Sequence, residues 1–102
     1  MKKLGLKVFS VNRAYRAPAR KLYERGVYDF VEVYLVPGTG DDTAPFWKEL
    51  AVPCIVHAPH YQHGVNLARA DLRHENRRMY EEAARFADVL EAPRIIFHPG
   101  IG

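Results

Sequence analysis

The sequence predicts an α/β chain in which four parallel strands alternate with three helices, β-α-β-α-β-α-β, all helices lying on one face of the sheet. Three observations carry this. Short β-branched runs recur between helical patterns, as parallel sheets joined by crossover helices require. The third and fourth runs, Pro53-Cys54-Ile55-Val56-His57 and Ile95-Ile96-Phe97-His98, each end on a histidine. The alternation within the strands separates a uniformly apolar face from one that mixes large apolar groups with a carboxylate and two imidazoles.

Taken in order, Leu4 to Phe9 reads as the first strand. Arg16 to Arg25 reads as a helix, with Pro18 in its first turn and Gly26 as its stop. Tyr28 to Val36 is β-branched and aromatic and runs into the turn cluster Pro37-Gly38-Thr39-Gly40. A short helix follows, capped from Asp41, Asp42 or Thr43, with Pro45 near its start and Trp47 and Leu50 as core anchors. Pro53 to His57 is the third strand. Leu72, Asn76, Met79, Tyr80, Ala83, Ala87 and Leu90 recur at three- and four-residue steps, the apolar stripe of a long helix with Asp71 as N-cap and Pro93 as terminator. Arg73, Arg77, Glu81, Arg85 and Asp88 occupy its wetter side. The fourth strand begins at Ile95.

If His57 and His98 share a sheet face, Ile55 and Ile96 lie beside them, joined by Phe30, Glu32 and Tyr34. Cys54, Val56, Ile95, Phe97, Val31, Val33 and Leu35 then face the helices. A mixed face of this kind suits the lumen of a barrel better than an open sheet covered on both sides.

The chain has 102 residues, room for one small domain over 1–102, with 48% apolar and 26% charged side chains, ordinary for a soluble chain. No apolar run approaches the length of a membrane span, and charge returns at Lys7 soon after Lys2 and Lys3, so no signal-peptide core is expected there. The single cysteine, Cys54, excludes an internal disulfide and reads as a buried, inert thiol. A cytoplasmic protein with no membrane partner is expected. Residues 1–25 hold eight basic side chains against Glu24 alone. Such a lobe attracts nucleic acid or a phosphorylated substrate, but no aromatic or glycine pattern of a nucleic-acid module accompanies it, and a solvated helix face is the plainer reading.

From Cys54 to Gly100, on His57-Ala58-Pro59, Val65-Asn66-Leu67-Ala68 and Phe97-His98-Pro99-Gly100, the chain resembles the xylose isomerase-like TIM-barrel superfamily. Within it, the likeness is greatest to the endonuclease IV (AP endonuclease) branch. The resemblance implies half of a (β/α)8 barrel, strands one to four, with His57 and His98 as ligands of a divalent metal, zinc first, manganese or magnesium as alternatives. It implies metal-dependent phosphodiester hydrolysis at abasic DNA. The sugar or sugar-phosphate isomerase and epimerase branches offer the alternative. The spacing from His57 to Asn66 exceeds the family's, with Tyr61-Gln62-His63 or its neighbours as the extra residues. The first strand's exit, Ser10-Val11-Asn12-Arg13, lacks a Gly-x-His pattern. The acidic and histidine ligands expected from strands five to eight are not in this sequence, so whether it is an enzyme alone stays open.

Imidazoles at strand C-termini are good ligands for such ions, and a catalytic site needs about three protein ligands. His60 and His63 are further candidates for metal or substrate, or solvated loop residues; His74 reads as exposed. Glu32 is a candidate to orient a ligating imidazole or to contact a substrate hydroxyl, and Asn12 and Arg13 are candidate phosphate contacts. Gly38-x-Gly40 is too short for a phosphate loop. Four strands leave two bare edges and an uncovered face bearing Phe30, Tyr34, Ile55 and Ile96. A homo-oligomer formed through those surfaces is expected, in its sharpest form a two-fold dimer joining strand four of each copy to strand one of the other. A truncated piece of a longer enzyme, or a catalytically silent half-barrel, is the other possibility.

Overall fold

The computed structural model describes residues 3–59, 65 and 69–97. It contains β1 (Gly5–Phe9), α1 (Arg16–Glu24), β2 (Phe30–Tyr34), α2 (Gly40–Lys48), β3 (Cys54–His57), α3 (Arg73–Leu90) and β4 (Ile95–Ile96), with single 3-10 turns leading into α1 and α3. The four strands form one parallel sheet in the order β1-β2-β3-β4. This is the expected α/β architecture, consistent with half of a β/α barrel. No helix among the described residues is long and apolar enough to cross a membrane.

Strand register separates two faces. Leu6 pairs with Val31 and Val31 with Cys54, while Val8, Val33, Val56 and Ile95 form a second row. These side chains and Leu35 pack with Ala19, Trp47, Leu50, Ala83, Phe86 and Ala87 from the helices to form the core. The alternate residues form the other face in three rows: Gly5 and Phe30; Lys7, Glu32 and Ile55; then Phe9, Tyr34, His57 and Ile96 at the C-terminal rim. The period-two alternation of a strand produces this division, and the expected phase of β2 and β3 is the observed one. At the bottom row a Cβ on Gly5 would stand 2.5 Å from the Phe30 ring, so the absent side chain lets that ring cross β1.

Helix ends are where structure and sequence reading part. α1 closes as expected: Gly26 has φ +74°, its N–H bonds to the Tyr23 carbonyl, and that of Val27 to Leu22, a Schellman motif. α2 starts at Gly40, one residue before the expected caps, with Asp41 and Asp42 inside its first turn. The cap comes from α3: the Glu82 carboxylate accepts the N–H groups of Gly38 (3.0 Å) and Gly40 (2.9 Å). Asp71 does not cap α3 either; it lies in the preceding 3-10 turn and pairs with Arg69, whose guanidinium holds the Asp71 carboxyl below its usual range. α3 ends before Pro93, at Glu91 in the left-handed region (φ 55°). The second strand is shorter than Tyr28–Val36. Tyr28 instead donates its hydroxyl to the Ala19 carbonyl (2.7 Å), tying the strand's approach to α1.

A buried polar knot joins the exits of β1 and β2 to α2. The fully buried Trp47 indole donates to the Ser10 carbonyl (2.8 Å). The Ser10 hydroxyl accepts the Val36 N–H (2.9 Å) and meets the Thr39 hydroxyl at 2.7 Å, and Thr39 donates to the Val36 carbonyl. Because Thr39 gives its proton to that carbonyl, Ser10 is the donor between the two hydroxyls. Every polar atom of the knot is satisfied, as a buried network requires.

Candidate functional site at the strand C-termini

The site is the rim row of the uncovered face. His57 is the last residue of β3, where the strand ends and the connection to α3 begins, the end of a parallel sheet at which ligands gather. It stands between Tyr34 on β2 and Ile96 on β4. Its ring lies 5.0 Å from that of Tyr34, which in turn lies 5.3 Å from Phe9. His57 is 5% and Tyr34 2% exposed, whereas Phe9 is 47% exposed. The uncovered face is therefore not open along its length: Phe30, Ile55 and Ile96 are half-buried as a bare face would leave them, but Tyr34 is closed off, flanked by the Phe9 and His57 rings.

His57 Nδ1 lies 2.7 Å from the Ala58 carbonyl oxygen. A carbonyl only accepts, so Nδ1 carries a proton in this contact. A backbone carbonyl that holds one ring nitrogen in this way fixes the orientation of the imidazole.

Glu32 lies one row deeper and forms its ion pair with Lys7 (4.0 Å). The Lys7 ammonium is 6.0 Å from the centre of the Tyr34 ring, so the charged row and the aromatic row touch. Asn12 turns its Oδ1 to the Phe9 N–H (2.8 Å), and Arg13 places its guanidinium 5.7 Å above the Phe46 ring. His74 is exposed near the start of α3, as expected. His60, His63 and His98 lie outside the described residues. Among the described residues no group of three His, Cys, Asp or Glu side chains is placed to hold a metal ion.

The basic N-terminal lobe is partly structural. Arg16 donates to the Phe46 carbonyl (3.1 Å) and to Glu49 (2.9 Å), its guanidinium 4.0 Å above the Phe46 ring. Arg20 donates to the carbonyls of Leu50 (2.8 Å) and Ala51. Both guanidinium groups thus satisfy carbonyls at and just beyond the C-terminal end of α2, where cations are favoured. The residues that sequence reasoning left out of the site are Phe9 and Lys7. Both sit on the same parity of β1 as Gly5, and that parity was the available signal.

Comparison of the chain with protein-family models, with curated proteins and with solved structures yields no match.

Proposed function

We propose that this chain is half of a divalent-metal-dependent β/α barrel whose rim serves phosphodiester hydrolysis of the endonuclease IV type, at abasic sites in DNA. The observation that supports this reading is the setting of His57: a buried imidazole at the end of a parallel strand, its Nδ1–H held by the Ala58 carbonyl. Its donor chemistry fits zinc, with manganese or magnesium as alternatives. His57 and, on the sequence pattern alone, His98 would hold the ion, with His60 and His63 as further candidates. Such an ion supplies a polarised phosphoryl oxygen and a water of lowered pKa. The protein's own part is to hold the His57 ring in one orientation through the Ala58 carbonyl and to wall one side of it with Tyr34, itself backed by Phe9.

A second copy of the chain is the proposed partner, meeting the first through the edges of β1 and β4. The half-buried Phe30, Ile55 and Ile96, with Lys7 and Glu32 supplying one charge of each sign, make a surface that suits its own two-fold mate. A sugar or sugar-phosphate isomerase or epimerase is the second reading, favoured by the exposed Phe9 ring at the rim, because aromatic faces pack against sugar rings.

Zinc titration by calorimetry, on the 102-residue chain and its His57→Ala variant, tests the metal reading. Saturable binding that the variant weakens by about tenfold or more is expected; equal binding by both contradicts it. Cleavage of an abasic oligonucleotide by the zinc-loaded chain supports the hydrolase, whereas solvent-proton exchange into a ketose or aldose phosphate favours the isomerase.

A further inference from the structure

The opposite end of the sheet holds a cavity of about 700 Å³, between the N-terminal ends of β2 and β3 and the turns that close α2 and α3. Its size lies in the range of small-molecule sites. Phe30 and Ile55 enter it from the uncovered face; Trp47, Val52, Leu90 and Pro93 enter from the helix layer. Lys3, Lys48 and Arg94 stand at its edge with Asp29 and Glu91. Asp29 is engaged, accepting the Leu4 N–H at 2.8 Å. The side chains of Lys3, Lys48 and Arg94 form no hydrogen bond or ion pair among the described residues. Cys54 also lines the cavity, and burial pushes its thiol up to about 11, so it presents a neutral group.

Backbone conformation points to the same place. Among the described residues Ala51 (φ 56°) and Glu91 (φ 55°) are the non-glycine residues with positive φ, and both line this cavity. Each takes a helix-terminating position that glycine fills at lower cost, as Gly26 does after α1. Left-handed backbone kept at non-glycine residues gathers at ligand sites. Here it turns the two loops that bring Lys48 and Arg94 to one opening.

We propose that this cavity binds an amphiphilic anion, an aliphatic carboxylate whose chain lies against Val52, Leu90 and Pro93 and whose head group meets Lys48 and Arg94. The site is separate from the His57 rim and does not depend on its chemistry. Three cations face two carboxylates, one of them already hydrogen-bonded, which selects against a cationic or neutral amphiphile of the same length. Trp47 is the chain's only tryptophan and lies in the cavity wall, so its fluorescence reports occupancy directly.

Decanoate and decanol, titrated separately below their aggregation limits into the 102-residue chain, test this through Trp47 emission. Decanoate is expected to saturate at a concentration about tenfold lower than decanol. The double variant Lys48→Gln/Arg94→Gln, altered only at exposed positions, is expected to bring decanoate down to the level of decanol and leave decanol unmoved, with Lys48→Arg binding like the parent. Equal binding of the two probes, a double variant that binds decanoate like the parent, or no saturable change with either probe overturns the proposal.

Discussion

On the helix side of the sheet, Val31, Val33 and Val56 are shut away from water; on the other side their immediate neighbours Phe30, Glu32 and Ile55 keep partial contact with solvent. The same backbone carries both sets, one residue out of phase. The covered side is built mainly from the β-branched Val8, Val31, Val33, Val56 and Ile95, with Leu6, Leu35 and Cys54, and closes against Trp47, Leu50, Phe86 and Ala83 with the dispersion contacts of a dense interior. The uncovered side mixes aromatic rings, one ion pair and one imidazole, groups that have uses beyond packing. Packing is therefore concentrated on one side of the sheet and polar and aromatic groups on the other, and substitutions of equal size on the two sides should differ sharply in effect.

Trp47 should show the greatest loss. Replacing it with alanine removes the biggest buried side chain and orphans the Ser10 carbonyl, a loss of about 3–5 kcal/mol in denaturant unfolding. A loss below about 1 kcal/mol would mean that the helix layer is not closed over the sheet as described.

Next is the thiol of Cys54, on the covered side. Its folded pKa, raised to about 11 by burial, exceeds the unfolded value. The folded state therefore favours the protonated thiol: the contribution is fully present below about pH 8.5 and is lost as pH rises toward about 11, at most about 3 kcal/mol. Unfolding free energies measured at both ends of that window should fall more for the parent than for Cys54→Ala. Equal falls would place the thiol in contact with water.

Glu82→Ala should cost about 1 kcal/mol, because it leaves the Gly38 and Gly40 N–H groups to solvent and removes one of the ties between α2 and α3. Glu82→Gln, which keeps an acceptor oxygen, should cost less. The slightest change belongs to the uncovered side: Glu32→Gln breaks a long, partly solvated ion pair and should change stability by less than about 0.5 kcal/mol. A larger loss there would mean that this face contributes to packing as much as the other does.

Much of this division was legible in the residues. The β-branched runs, the histidine closing the third strand and the long stripe from Leu72 to Leu90 are periodic signals, and period reports which face a residue occupies. Phe86 is fully buried yet lies outside that row as read, although it stands three residues after Ala83 and four before Leu90, the same spacing as the stripe itself. What periodicity leaves out is polar and long-range. Glu82 caps a helix that begins forty-two residues earlier, and Arg16 and Arg20 serve carbonyls thirty residues on. A charged side chain carries no mark of which distant backbone group it meets. The same holds at His57: its strand-end position was readable, but its tautomer depends on the direction of the Ala58 carbonyl, which only the folded backbone defines.

The chemistry proposed for the rim rests on His57 keeping its Nδ1 proton on the Ala58 carbonyl and meeting zinc through Nε2. Long-range proton–nitrogen correlation spectra of the imidazole, recorded at neutral to mildly alkaline pH without and with zinc, read both nitrogens at once. The expected spectrum is that of an Nδ1–H tautomer whose Nε2 resonance moves on zinc addition while Nδ1 stays protonated. An Nε2–H tautomer, or a His57 ring that zinc leaves unmoved, would remove the rim's claim to a metal.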